Sequence, residues 1–318
     1  MRCIICGKEC EPSLEHIVCE SLGNKEFVTS KLCKDCNNLL GAKVDCYFTD
    51  HIFLKMIRET EGIKSKSGKP VHALAGNITS DDGDIYRFTY PSIGQMVPKL
   101  IPVPKDTETG FHIKVDSSNP DAGLSIARQK LMRMTKPDGK RFTQEDVKRI
   151  IENAKFGPTE DKQIRITLNA DIDKSLYSLT FIKIAYEYAC EALGDEYYDD
   201  PKAKQLRRFL DITIHSDRKS TGTLVSWNEL KNNVKLFSND ILQEIYLEYA
   251  HFFPKKIRHM ILLAAIAEDK AICQIMLFGK PLTSATVLLS DNARLLTNLK
   301  RQRALITIIF EDGTAWSI

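Results

Sequence analysis

Cys3-Ile4-Ile5-Cys6, Ser13-Leu14-Glu15-His16-Ile17-Val18 and Cys33-Lys34-Asp35-Cys36-Asn37-Asn38 decide the reading of this 318-residue chain. Four thiolates in two Cys-x-x-Cys pairs can close a tetrahedral zinc shell at roughly 2.3 Å per bond and so fold a segment with little core of its own. Cys3, Cys6, Cys33 and Cys36 are therefore predicted to hold a structural Zn²⁺. The insert from Gly7 to Leu32 is longer than ribbon-type zinc spacings and has room for a hairpin. A redox dithiol would use one pair and leave the second without a role. Cys10 competes as a ligand, at a less regular spacing.

Working outward, Leu14, Ile17 and Val18 surround Glu15-His16 with strand-forming or core-filling residues. Ser21-Leu22-Gly23-Asn24 reads as a turn, and Phe27, Val28 and Leu32 complete a hairpin before the second cysteine pair. Asn37 to Gly41 reads as a short helix ended by its glycine. A longer helix follows from Val44, with Val44, Phe48, Ile52 and Met56 on one face. The lysine-, serine- and glycine-rich run Gly62 to Pro70 marks the boundary, giving domains 1–62 and 63–318.

Taken together, Cys3-x-x-Cys6, Ser13-Leu14-Glu15-His16-Ile17, Glu20-Ser21-Leu22-Gly23, Cys33-x-x-Cys36-Asn37-Asn38, Leu40-Gly41 and Val44-Asp45 resemble the HNH endonuclease superfamily over about residues 1–48. The resemblance implies a ββα-metal site inside a zinc-stapled, treble-clef-like scaffold. It puts His16 at the general base, Glu15 at the acidic metal ligand before it, and Asn37 at the helix-borne ligand. The catalytic ion would be Mg²⁺ or another divalent metal distinct from the zinc, and family analogy makes DNA the substrate. Two positions depart from the wider superfamily. Val28-Thr29-Ser30 stand where a middle asparagine is expected, so loop support must come from elsewhere, and Cys19 stands where many relatives have proline. Asp45 is given a supporting role.

The same chemistry can be argued from the side chains. Hydrolysis needs a water deprotonated near neutral pH, which suits imidazole, and positive charge where the transition state grows negative. One carboxylate and one amide oxygen hold a hard ion and leave positions open for phosphate, whereas four sulfurs would not hold Mg²⁺. Other readings stay open. His16 can be a core histidine, Glu15 a hydrogen-bond partner that orients it, and Asn37 a helix cap. Asn38 is the substitute ligand if the helix is rotated.

The rest of the chain says less about chemistry. Val71 to Ala75 and Asp84 to Tyr90 flank a turn as a hairpin, and the prolines from Pro91 to Pro104 indicate an irregular or edge-lying stretch. Helices are expected over 121–134 and from Thr143 to Lys155, and Gln163 to Leu168 alternates like a half-buried strand. Leu179, Ile182, Tyr186, Ala189 and Leu193 share the face of a helix ended by Gly194, with Lys183 and Glu187 as a surface i, i+4 pair. Apolar runs at Met260–Ala267, Ile272–Phe278, Thr286–Leu289 and Ala304–Phe310, with a closing strand from Thr314, read as a mainly antiparallel sheet. The fold class is thus α+β: a small zinc module, then a larger α+β domain. His215 with Asp211 and Asp217 reads as a loop after a helix rather than a second site.

A net charge of +3 does not announce a nucleic-acid partner, so that expectation rests on local basic clusters and on the motif set. Scattered remaining cysteines and the lack of an apolar leader read as cytoplasmic, and no apolar run reaches the roughly eighteen residues of a membrane span. The expected function is a metal-dependent DNA endonuclease, in a defence or mobile-element setting, whose larger domain recognises, senses or assembles with a second copy or a partner protein. The alternative is a zinc-containing nucleic-acid-binding module without turnover.

Overall fold

The computed structural model describes residues 1–65, 67–92, 95–107, 110–116, 120–136, 139–155, 163–168, 170–216, 225–266, 270–292 and 304–318. Contacts group them into two units, Met1–Val71 with Ala170–Ile318, and His72–Asn169. The boundary expected after residue 62 falls inside the first unit, because the N-terminal module shares one apolar core with the final half of the chain.

In that module β1 (Ser13–His16) and β2 (Val28–Leu32) pair antiparallel, with Ser13 opposite Leu32 and His16 opposite Val28. Helix α1 (Lys34–Leu40) starts on Cys33, whose sulfur accepts the Cys36 amide at 3.4 Å. A π-helical segment over Gly41–Asp45 continues the helix into α2 (Cys46–Asp50), so Gly41, at φ −55°, does not end it as expected, and His51 separates α2 from α3 (Ile52–Thr60). The backbone of His51 is extended, at ψ 135°, and its ring nitrogen accepts the Phe53 amide at 3.3 Å, so it caps the next helix. That break shifts the apolar stripe. Val44 and Phe48 are buried as expected, but beyond His51 the inward residues are Leu54 and Ile57, and Met56 is exposed.

The second unit carries β3 (Asn77–Thr79), β4 (Ile85–Ser92) and β5 (Gln95–Leu100) as a three-stranded antiparallel sheet, then the hairpin β6 (Pro104–Thr107) and β7 (Gly110–Ile113). The first strand begins later than the expected Val71. Pro98 lies within β5, an edge strand, where a missing N–H is tolerated. Helices α4 (Pro120–Arg133) and α5 (Gln144–Glu152) follow, and Thr143 and Asp146 cap α5 reciprocally. The expected strand Gln163–Leu168 joins no sheet. Its ties run to Asp81 in the Thr79–Gly83 turn: the Asp81 amide donates to Arg165 O at 3.0 Å, and the Thr167 amide to Asp81 Oδ1 at 2.9 Å.

The chain re-enters the first unit with α6 (Lys174–Leu193), α7 (Asp195–Tyr198), α8 (Pro201–His215), α9 (Trp227–Leu230), β8 (Val234–Leu236) and α10 (Asp240–Tyr249). Then come β9 (Ile257–Ile266), β10 (Lys270–Leu277), β11 (Ser284–Ser290), β12 (Ala304–Phe310) and β13 (Ala315–Ser317). The six-stranded sheet is antiparallel in the order β13-β12-β9-β10-β11-β8. Alternate residues of β9 serve different cores: Ile261 and Leu263 join the large core containing α6 and α8, while Met260, Leu262 and Ala264 meet Leu242 of α10. Burial on both faces is why this strand reads as a continuous apolar run. His215 closes α8, where it contacts Asp211 at 3.2 Å; Asp217 lies outside the described residues.

One expectation is reversed by α6. Lys183 and Glu187 are not a surface pair, since both are 0% exposed. The helix is covered by the N-terminal module, by the sheet and by α8, and it has no free face on which to place them. Among the described residues no helix is long and apolar enough to cross a membrane.

Candidate active site

The cysteine pairs meet as their spacing predicts. Gly7, at φ +70°, turns the chain after Cys6 and donates its amide to Cys3 O at 3.0 Å, while Cys33 is placed by the end of the β1–β2 hairpin. The sulfurs of Cys3, Cys6, Cys33 and Cys36 all lie within 4.8 Å of one another, and none is in a disulfide. A tetrahedral Zn²⁺ with bonds of about 2.3 Å separates its sulfurs by about 3.8 Å, so the set fits a structural zinc. The Cys33 amide points at Cys3 Sγ from 3.4 Å, and such N–H groups offset thiolate charge. Burial and the neighbouring Cys33, Cys3 and Cys6 push the Cys36 thiol well up, so a cation is what lets all four sulfurs ionise together. Cys10, the rival ligand, is not part of the four-sulfur set.

The hairpin carries Glu15 and His16 on β1. Glu15 is buried and His16 half-buried, and a register irregularity between Ser13 and Glu15 leaves Leu14 65% exposed. Asn37, on α1, donates its amide nitrogen to Ser13 Oγ at 3.0 Å and to Leu14 O at 2.8 Å. These two acceptors fix which end of the amide is nitrogen. The oxygen Oδ1 accepts no hydrogen bond among the described residues and is the end available to a cation. Asn37 stands inside α1; the helix is capped by the Cys33 sulfur.

Glu15 is held from outside the module. Its Oε1 accepts from the Lys183 ammonium of α6, which also donates to Asp45 Oδ2 at 2.9 Å and lies 3.4 Å from His16 O. Glu187 Oε2 is farther, at 3.9 Å, and neither of its oxygens has a hydrogen bond among the described residues. Burial would pull the ammonium down, but Asp45, Glu187 and Glu15 hold it well above its ordinary value. Burial pushes the Glu187 carboxyl up, against the pull of Lys183. Burial also raises Glu15, against the pull of Lys183. Glu15 Oε2 makes no hydrogen bond among the described residues, and the side chain keeps 9% exposure. Glu15 Oε2 and Asn37 Oδ1 are hard oxygen donors, a set whose chemistry fits Mg²⁺ and not zinc in a thiolate site.

The loop support that the sequence left unassigned is Asn24. Its side chain is fully buried, donates to Val18 O at 2.6 Å and Phe27 O at 2.8 Å, and accepts the Phe27 amide at 2.9 Å. Read as a turn residue, it gave one signal of this duty: a short amide in the turn between the core residues Leu22 and Phe27. The neighbouring turn is braced by β9, where His259 meets Leu22 O at 3.0 Å and Arg258 donates to Gly23 O at 3.4 Å. Gly23 is called for by its φ of +95°, a left-handed backbone that side chains rarely adopt, and a Cβ there would also displace the Arg258 guanidinium. Lys183 had a signal as well. A helix apolar, aromatic or small on every face is a buried helix, and its charges must then find partners inside.

A family model described as HNH endonuclease matches residues 3–53, the segment that holds all four sulfurs, Glu15, His16 and Asn37. No curated protein and no solved structure matches the chain. The match suggests a nuclease, and hence a nucleic-acid substrate.

Proposed function

We propose that this chain is a divalent-metal-dependent endonuclease that hydrolyses phosphodiester bonds in DNA, with His16 as general base and with Glu15 and Asn37 holding the ion. The observation that carries this reading is the Asn37 amide. Its nitrogen is committed to Ser13 and Leu14 on β1, which leaves its oxygen as the free end next to the strand of Glu15 and His16. In hydrolysis an imidazole nitrogen of His16 takes the proton of a water as that water's oxygen bonds to phosphorus. The bridging P–O bond breaks, and the departing oxygen is protonated from solvent. A bound divalent ion supplies Lewis acidity toward the phosphate oxygens. The zinc, with four sulfurs and no open position, stays structural.

The test sets zinc-loaded full-length protein and H16A against supercoiled, linear and single-stranded DNA and against RNA, with Mg²⁺, Mn²⁺ and Ni²⁺ in turn. Cleavage of DNA is expected with wild type, and a loss of at least about 100-fold with H16A at unchanged zinc content, the scale of a general base. Full activity in H16A would remove His16 from the base role. One observation favours a second reading, a zinc module that binds nucleic acid without turnover: Glu15 is part of a buried ion cluster, as a purely structural carboxylate would be. That reading expects salt-sensitive binding and no cleavage with any of the three metals.

A further inference from the structure

Lys183 is separated from Glu15 by 168 residues, yet it is fully buried against that carboxylate. Its ammonium has three N–H donors, and three oxygens surround it: Glu15 Oε1, Asp45 Oδ2 at 2.9 Å and His16 O at 3.4 Å. Its own helical neighbour Glu187, at 3.9 Å, is left without a hydrogen bond. The ammonium is thus spent on β1 and on Asp45 of the module rather than on α6. It grips the side chain of Glu15 and the backbone of His16 together. Only one Glu15 oxygen is taken, and Oε2 remains without a partner among the described residues, on a side chain that reaches solvent.

We propose that Lys183 is a positioning residue of the nuclease site: by holding Glu15 Oε1 it presents Oε2 alone to the divalent ion, so that helix α6 completes the metal site of the N-terminal module. The proposal rests on the functional reading above, in which Glu15 is a metal ligand. A merely structural Lys183 would stabilise the fold and leave the ion indifferent. A competing Lys183 would occupy the carboxylate in place of the ion. The three roles differ in what happens to metal binding when the ammonium is removed.

The experiment measures Mn²⁺ binding by electron paramagnetic resonance on zinc-loaded, full-length wild type, K183M, E15Q and E15Q/K183M, with zinc content and thermal melting recorded for each. Positioning expects wild type to bind Mn²⁺ and K183M to bind it at least about tenfold more weakly with zinc retained. It also expects the double variant to bind no more weakly than E15Q, because Lys183 acts through Glu15. Unchanged Mn²⁺ affinity in K183M would make Lys183 structural only, and tighter binding would make it a competitor; either overturns the proposal. Should K183M fail to fold, K183R carries the comparison: its longer, planar cation must displace the Glu15 carboxylate, so positioning expects Mn²⁺ affinity at least about tenfold weaker with zinc retained, and unchanged or tighter affinity overturns it. Wild type that binds no Mn²⁺ sinks the metal-site reading itself, whereas wild type that binds it with K183M unaffected sinks the role of Lys183 alone.

Discussion

His259 is a buried histidine whose two nitrogens have different duties. Phe278 donates its amide to Nδ1 at 3.2 Å, so Nε2 carries the proton and donates to Leu22 O, 3.0 Å away. A doubly protonated ring would lose the first bond, and burial pulls its pKa down to about 3. The folded state therefore resists protonation, while the unfolded chain takes up a proton below the ordinary value of about 6.5. Its contribution to stability is fully present above that value and is lost as pH falls from about 6.5 toward about 3. At pH 4.5 the loss amounts to about 3 kcal/mol, an order-of-magnitude figure from two pH units of linkage. In denaturant melts between pH 7.5 and 4.5, H259Q should therefore lose less stability than wild type by about that amount; parallel curves would show that the ring is not held neutral. The same residue matters to the site, since Leu22 belongs to the loop that Asn24 ties to Val18 and Phe27 at the end of the β1–β2 hairpin.

At the scale of elements, α6 is the spine of the first unit. Its Tyr186 hydroxyl donates to Ile4 O at 2.6 Å beside the first cysteine pair, Tyr188 meets Phe27 edge-on at 5.0 Å, and Lys183 holds Glu15. Glu187 lies 3.9 Å from Lys183 with no hydrogen bond among the described residues, and burial favours its neutral form, which E187Q reproduces. Its stability at pH 7 should stay within about 1 kcal/mol of wild type. A loss of 3 kcal/mol or more, the scale of a broken buried ion pair, would instead mean that Glu187 is ionised and paired with Lys183. The contrast between the two residues shows where sequence stops being informative. Spacing of i, i+4 is identical for a surface pair and for two side chains buried in one cluster, and only the covering elements distinguish them. The cysteine pairs, the Thr143 cap and the apolar runs of β9, β10 and β12 were legible because their signals are local. The re-phasing at His51 and the duty of Asn24 depend on backbone and core positions that no periodicity encodes. Of the proposed site, Glu15, His16 and Asn37 were named from the chain, whereas Lys183, which holds Glu15, was not, because it sits on a helix far away in sequence.

For the molecule as a whole, the first unit is discontinuous: it is left at Val71 and rejoined at Ala170. Cutting the chain at residue 62 would strip Glu15 of its cation and expose the apolar side chains that the module buries with α6. The isolated segment 1–62 should therefore show no cooperative melting even with zinc, whereas a chain in which 72–169 is replaced by a long flexible linker should melt cooperatively and retain zinc. Calorimetry with zinc analysis on the two decides it, and an autonomously folding 1–62 would refute the shared core. The same discontinuity has a consequence in time. The Lys25 amide bonds to Gly313 O at 3.1 Å, and the Ala315 amide reaches Glu26 across 289 residues. At roughly 5 to 20 residues per second of synthesis, the hairpin waits about 15 to 60 s for these partners. A growing chain carries the HNH-like motif long before it carries the braces, so on the proposed function any cleavage of nearby nucleic acid is deferred until residues 313–315 have been made.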